Sequence, residues 1–256
     1  MDRKEVLRLT EAHAKEVLSK GEPGHDWWHT RRVWQTALKI AKHKKEADLF
    51  VVQLGALLHD IADWKFHKKG SKTEKALIRD WLNKMGAEKD TIDKVSYVVE
   101  AVTFKGAKAK DEVSSIEAAI VQDADRLDAL GAIGVARAFG YGGYKMRPMY
   151  DPAEKIHYHR SFRSYKTAQS KSTVNHFYEK LLLLRSRMKT KEGQRIAKER
   201  DTFCNDISPQ KPSVAVLVFM AHLRKVLILG QVYTIHIVLP LAANAAIGKF
   251  FKVKDR

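Results

Sequence analysis

The segment Leu57-Leu58-His59-Asp60-Ile61-Ala62-Asp63 sets three metal-binding or proton-handling side chains at the end of an otherwise apolar run. His59 and Asp63 stand at i and i+4, and Asp60 and Asp63 at i and i+3, so on a helix all three approach one side. An imidazole nitrogen beside a carboxylate oxygen suits a divalent transition metal. Thirty residues earlier, Gly24-His25-Asp26-Trp27-Trp28-His29 offers two more histidines, with Arg32 one turn past His29. Later, Val121-Gln122-Asp123-Ala124-Asp125-Arg126-Leu127-Asp128 puts acids into a segment whose apolar stripe is Ile116, Ala119, Ile120, Leu127 and Leu130. Asp123 and Asp125 are two residues apart and cannot face the same way. Each piece alone has a plain alternative. A His-Asp pair caps a helix end, the acids are solvated or paired with Arg126 or nearby lysines, and His25 supports a turn. Together, a histidine, a His-Asp pair and a distal aspartate, each on its own helix, make a sharper pattern.

The elements that must position these residues read as helices. Apolar positions recur at helical spacing over residues 3–20, 26–43, 47–62, 72–85, 88–103, 113–130, 173–188 and 190–205. Residues 65–71 and 105–110 are polar connections, and 83–87 is a short turn. Residues 140–152, rich in Gly, Tyr and Pro, read as a loop and a candidate lid, in which Tyr141, Tyr144 and Tyr150 either stack on a base or only pack. No strand-type alternation precedes residue 210, so the fold class is all-α, a helical bundle. After Asp206 the character changes. Residues 208–213 are a Pro- and Ser-containing breaker, and the apolar run 226–243 is interrupted by Gln231, His236 and Pro240. The expected division is a helical domain over 1–206 and a basic, apolar extension over 207–256 that packs on the core or trails from it rather than spanning a membrane.

The 256 residues carry 47 Lys plus Arg against 30 Asp plus Glu, a formal charge of +17. That suits a polyanionic ligand: a nucleotide, or less expectedly a nucleic acid. The single cysteine, Cys204, excludes an internal disulfide framework and a multi-cysteine zinc site, and fits a reducing, cytoplasmic setting. The start, Met1-Asp2-Arg3-Lys4-Glu5, has no apolar run behind it and reads without a signal peptide. Gly131, Gly134, Gly140, Gly142 and Gly143 are not a phosphate-binding loop, since no Gly-Lys-Ser or Gly-Lys-Thr follows them.

The order His29, His59-Asp60, Asp125 resembles the HD superfamily of metal-dependent phosphohydrolases. The wording is closer to one branch. Gly24-His25-Asp26-Trp27-Trp28-His29 with Arg32-Val33-Trp34, then Leu58-His59-Asp60-Ile61-Ala62-Asp63, then Val121 onward through Asp125-Arg126-Leu127-Asp128 to Gly134, is similar to the YpgQ/YedJ-like proteins. Asn175-His176-Phe177-Tyr178-Glu179-Lys180-Leu181-Leu182 extends the likeness, which covers about residues 1–205.

The resemblance implies an all-α HD domain that hydrolyses nucleoside triphosphates to monophosphate and pyrophosphate. It implies one divalent metal, manganese first, with magnesium, cobalt, nickel, iron or zinc also compatible, held by His29, His59, Asp60 and Asp125. Asp125 is taken over Asp128 because the superfamily's last ligand precedes a basic or small residue and a leucine. Asp128, one turn on, stands among the substrate-side residues as a support for a ligand, or forms a surface salt bridge. Val102 occupies a place where some relatives carry a histidine, which favours a single metal. Asp63 beside Asp60 is the candidate general acid or base, or else a surface acid at a helix end. Arg32, Lys65, His67, Lys105 and Arg126 are candidate phosphate contacts, although Arg126 could instead pair with an acid such as Asp123. Residues 207–256 do not resemble the branch's usual ending. The competing reading is an HD scaffold that binds a nucleotide or nucleic acid with little turnover.

Overall fold

Burial of apolar stripes explains which segments become helices and where they lie. The computed structural model describes residues 1–19, 21–61, 74–109, 111, 113–151, 153–161, 163–164 and 171–201. The helices among them are α1 (Arg3–Leu18), α2 (Trp27–Ala41), α3 (Leu49–Leu58), α4 (Glu74–Lys84), α5 (Lys89–Val102), α6 (Ile116–Asp128), α7 (Gly131–Tyr144), α8 (Thr173–Glu179) and α9 (Lys191–Arg200). No strand occurs among the described residues, so the fold is all-α. No helix among them is long and apolar enough to cross a membrane. The expected boundary near Asp206 and the run 226–243 lie outside the described residues.

α3 is apolar nearly all round, and Val52, Leu54, Ala56, Leu57 and Leu58 are buried. Such a helix belongs at the centre of a bundle. α1, α2, α5 and α6 pack around it, and α2 and α5 also pack on α6. Gly55 permits the closest approach: a methyl group there would stand 2.5 Å from Val98 Cγ1 on α5. α2 turns Val33, Ala37 and Ile40 into this core. Asp26 starts α2 by accepting the His29 N–H at 2.8 Å, Asp48 starts α3 through Phe50 N–H, and Ser115 starts α6 through Ala118 N–H.

Two expectations are corrected. The Gly-rich stretch 140–152 is not all loop, because α7 continues through Gly140, Gly142 and Gly143 to Tyr144. Gly142 serves close packing, since a Cβ there would lie 2.1 Å from Thr173 Oγ1. The segment 173–188 is not one helix: α8 stops at Glu179, and two short 3-10 turns follow, Leu181–Leu183 and Arg185–Arg187.

α6 carries polar groups on two opposed faces. Asp123 accepts from Lys189 N–H at 2.8 Å and from Thr190 N–H and Oγ1 at 2.7 Å each, tying α6 to the start of α9. Arg126 shares that side. Its guanidinium is buried against Asp111 at 2.5 and 2.8 Å and donates to the Arg187 carbonyl at 3.0 Å. The expected phosphate contact through Arg126 is therefore corrected. Its charge is matched by Asp111 in the connection before α6, not by Asp123.

Burial pushes the Asp111 carboxyl up, but the hydrogen bonds and charge of Arg126 outweigh it and hold its pKa below the ordinary value. The pair therefore stabilises the fold above about pH 4, the unfolded carboxylate value, and its contribution is lost as pH falls through the lowered folded value. Asp111→Asn should cost about 1–3 kcal/mol in urea unfolding at pH 7, discounted from a fully buried pair because Asp111 is partly exposed. The gap to wild type should narrow below pH 4. A gap that stays constant from pH 7 to pH 3 contradicts this account.

Candidate metal centre

Three helix ends converge on one point. His29 lies in the first turn of α2 and is wholly buried, because Asp26 caps that turn and Trp27 sinks beside Leu57. His59 and Asp60 follow the last residue of α3, at 8% and 5% exposure. Asp125 projects from α6 on the side opposite Asp123 and Arg126, as the two-residue spacing requires.

Their donor atoms meet closely. His29 Nε2 and His59 Nε2 are 3.3 Å apart. His29 Nε2 lies 3.3 Å from Asp60 Oδ2 and 3.3 Å from Asp125 Oδ1. His59 Nε2 lies 3.6 Å from Asp60 Oδ1 and 3.8 Å from Asp125 Oδ1. Ligands about 2.0–2.2 Å from a common ion stand roughly 3.0–3.5 Å from one another, so the cluster needs little adjustment to hold one.

Hydrogen bonding fixes which imidazole nitrogens are bare. His59 Nδ1 lies 2.8 Å from the Ala56 carbonyl, which can only accept, so Nδ1 carries the proton. His29 Nδ1 lies 2.7 Å from Asp128 Oδ2 and donates to that carboxylate. Both Nε2 lone pairs therefore point at each other and at two carboxylates. With both rings neutral, these four electron-pair donors repel unless a cation, either a proton on His29 or a metal ion, sits between.

Burial alone would raise the Asp60 and Asp125 pKa values, but the charges of His59, His29 and, for Asp60, His25 hold both below the carboxylate range. Burial and Arg137 oppose a proton on His29, yet Asp60, Asp125 and Asp128 outweigh them and raise its pKa, so without an ion a proton is favoured where a divalent cation would take its place.

A second layer holds the first. Asp128, buried beside His29, accepts from Arg32 Nε at 2.7 Å and Arg32 Nη2 at 2.9 Å. Arg137, from α7, lies 3.0 Å from Asp128 Oδ2 and donates to the Asp128 and Gly24 carbonyls. Burial pushes Asp128 up, but His29, Arg32 and Arg137 carry its pKa well below the ordinary value. Asp128 is thus not a surface salt bridge but a support for His29, and Arg32 reaches the centre through it.

His25, read from sequence as turn support, lies with Nδ1 3.1 Å from Asp60 Oδ2 and its ring edge-on to Tyr141. It forms a second metal-competent triad with His29 and Asp60, beside the triad of His29, His59 and Asp125. Neither His25 nor Arg137 stood out as a site residue in the sequence. The one signal for His25 is its place in the His25-Asp26-Trp27-Trp28-His29 run. Val102 is buried in the core, and Lys105 is exposed in the connection after α5. Asp63, Lys65 and His67 lie outside the described residues.

Comparison with known proteins bears on this geometry. The family model described as "HD domain" matches residues 27–130, which span the His29, His59-Asp60 and Asp125 segments. The uncharacterized protein YpgQ of Bacillus subtilis is 35% identical over 188 residues, covering 73% of this chain and 82% of its own. A crystal structure of YpgQ in complex with ADP is similar with a TM-score of 0.62 at 29% identity, covering 88% of this chain and 96% of that one. A crystal structure of an HD-superfamily hydrolase from Bacillus thuringiensis is similar with a TM-score of 0.58 at 32% identity, covering 87% and 99%. Domains of this family bind divalent metal, and the converging His/Asp cluster is able to hold one. The chain belongs to the HD-domain family and is an HD-superfamily hydrolase.

Proposed function

We propose that this protein hydrolyses nucleoside triphosphates to monophosphate and pyrophosphate, using one divalent ion, manganese first, held by His29, His59, Asp60 and Asp125. The observation that carries this reading is the meeting of two bare Nε2 atoms, 3.3 Å apart, with two carboxylates. The nucleotide part draws support from the ADP complex of YpgQ. The charge of +17 favours a polyanionic substrate. The single cysteine supports a cytoplasmic setting.

When bound, a divalent cation lowers the pKa of a coordinated water and draws charge from phosphoryl oxygens. The protein's own groups do the rest. Ala56 and Asp128 accept from Nδ1 of His59 and His29 and so turn each Nε2 toward the ion. Arg32 and Arg137 hold Asp128 ionised, so that it accepts from His29 and does not compete for the substrate's proton. His25 and Tyr141 lie against Asp60 on a further side of the cluster. Asp63, a few residues past the His-Asp pair, is our candidate to take the proton of the attacking water or to give one to the leaving phosphate oxygen. Lys65, His67 and Lys105 are our candidates for phosphate contact.

Product analysis tests the reading. Purified protein with manganese and a panel of ribo- and deoxyribonucleoside triphosphates should release pyrophosphate and monophosphate, and Asp60→Ala should lower the rate by at least about 100-fold. Stepwise release of single phosphates would change the reaction assigned. Absence of product from folded, metal-loaded protein would favour the nucleotide-binding scaffold. Asp128→Asn should weaken manganese binding by about 10- to 100-fold in calorimetry while the fold is retained, and unchanged affinity would remove Asp128 from the centre. Asp63→Asn should cut turnover by about 100-fold or more with metal content intact, and unaltered turnover would exclude it as the proton-transfer group.

A further inference from the structure

A cavity of about 490 Å³ opens between α2, the start of α7 and the end of α9. None of the four candidate metal ligands lines it. Its wall includes Arg32, Lys39, Arg200, Asp128 and Glu199. Asp128 also forms the boundary with the metal centre, because His29 meets Asp128 through Nδ1 and meets the other ligands through Nε2.

The charges on this wall do not cancel. Asp128 is already neutralised by Arg32, Arg137 and the His29 N–H. Glu199 meets Arg195 at 2.5 Å, and Arg195 is shared with Glu192, which it holds at 2.8 Å. Arg200 is only partly exposed, donates to the Leu127 carbonyl at 2.6 Å, and forms no ion pair with any described residue. Lys39 also has no ion pair among the described residues. Arg32, Lys39 and Arg200 thus face one cavity against Asp128 and Glu199, which Arg137 and Arg195 also meet, so cations exceed acids at this wall. A half-buried guanidinium with a single carbonyl partner has unfilled donors, and a planar fork of N–H groups matches a tetrahedral oxyanion. Gly131 and Ala132, in the first turn of α7, complete the wall, and that turn has neither a capping side chain nor an acidic residue.

We infer that this cavity binds a small phosphate-bearing anion, held by Lys39 and Arg200 with Arg32 at its inner edge. The site is separate from the metal centre and joined to it by Arg32, which both lines the cavity and holds Asp128. The anion is inorganic phosphate or the phosphate group of a nucleoside monophosphate. The volume lies within the range of small-molecule pockets and accommodates either.

The full chain should be titrated by calorimetry with inorganic phosphate and, separately, adenosine monophosphate, once with manganese and once with EDTA. A metal-held anion leaves when the metal is chelated, whereas an anion in this cavity stays. Saturable binding in EDTA is expected, weakened about tenfold by Lys39→Glu, a change at an exposed position that leaves the melting temperature and manganese affinity unaltered. Tighter binding of the monophosphate than of phosphate assigns the nucleotide as the source, and the reverse assigns the inorganic ion. Absence of saturable binding in EDTA, or binding indifferent to Lys39→Glu, overturns the inference. If chelation unfolds the chain, crystals of the manganese form soaked in phosphate decide it. Density between Lys39 and Arg200 supports the site, and density on the metal alone overturns it. The result does not depend on which reaction the metal centre performs.

Discussion

Two imidazole rings are held so that their Nε2 nitrogens face each other at 3.3 Å, and much of the surrounding structure enforces that arrangement. The Ala56 carbonyl fixes one ring and the Asp128 carboxylate fixes the other. Left to itself, either ring could exchange its proton or turn away. Backbone from α3 and a buried acid from α6 prevent both. The energetic consequence is a pocket of negative potential that only a cation relieves, and the carboxylates of Asp60 and Asp125 deepen it.

α6 makes this affordable to the fold by separating two tasks on one helix. Asp125 and Asp128 face α2 and the cluster, while Asp123 and Arg126 face the 187–190 segment and Asp111. Every one of these buried charges has a specific partner, as burial demands. Arg137 extends the same logic from α7. By gripping both Asp128 and the Gly24 carbonyl, it ties the approach to α2 to the aspartate that orients His29.

The part of this arrangement written in local spacing was legible in the sequence. His59-Asp60 at the end of an apolar run, His29 near the start of the next candidate helix upstream, and Asp125 two residues from Asp123 all follow from helix geometry. The central, all-round apolar α3 was equally plain. What depends on tertiary approach was not. Helical angle gives the direction of Arg126 but not what it meets, and it meets Asp111 from a connection. Arg137 reaches Asp128 from α7, a helix not assigned from the sequence, whose C-terminal end read as a loop. There, glycines that look like loop residues include one, Gly142, that lets α7 lie against Thr173. His25 becomes a neighbour of Asp60 only when α2 and α3 pack.

The most direct test of the central claim is anomalous diffraction from crystals grown with manganese. The account predicts one manganese peak with His29 Nε2, His59 Nε2 and an oxygen from each of Asp60 and Asp125 at about 2.0–2.3 Å. A manganese ion held instead by His25, His29 and Asp60, or no ion between α2, α3 and α6, would contradict it.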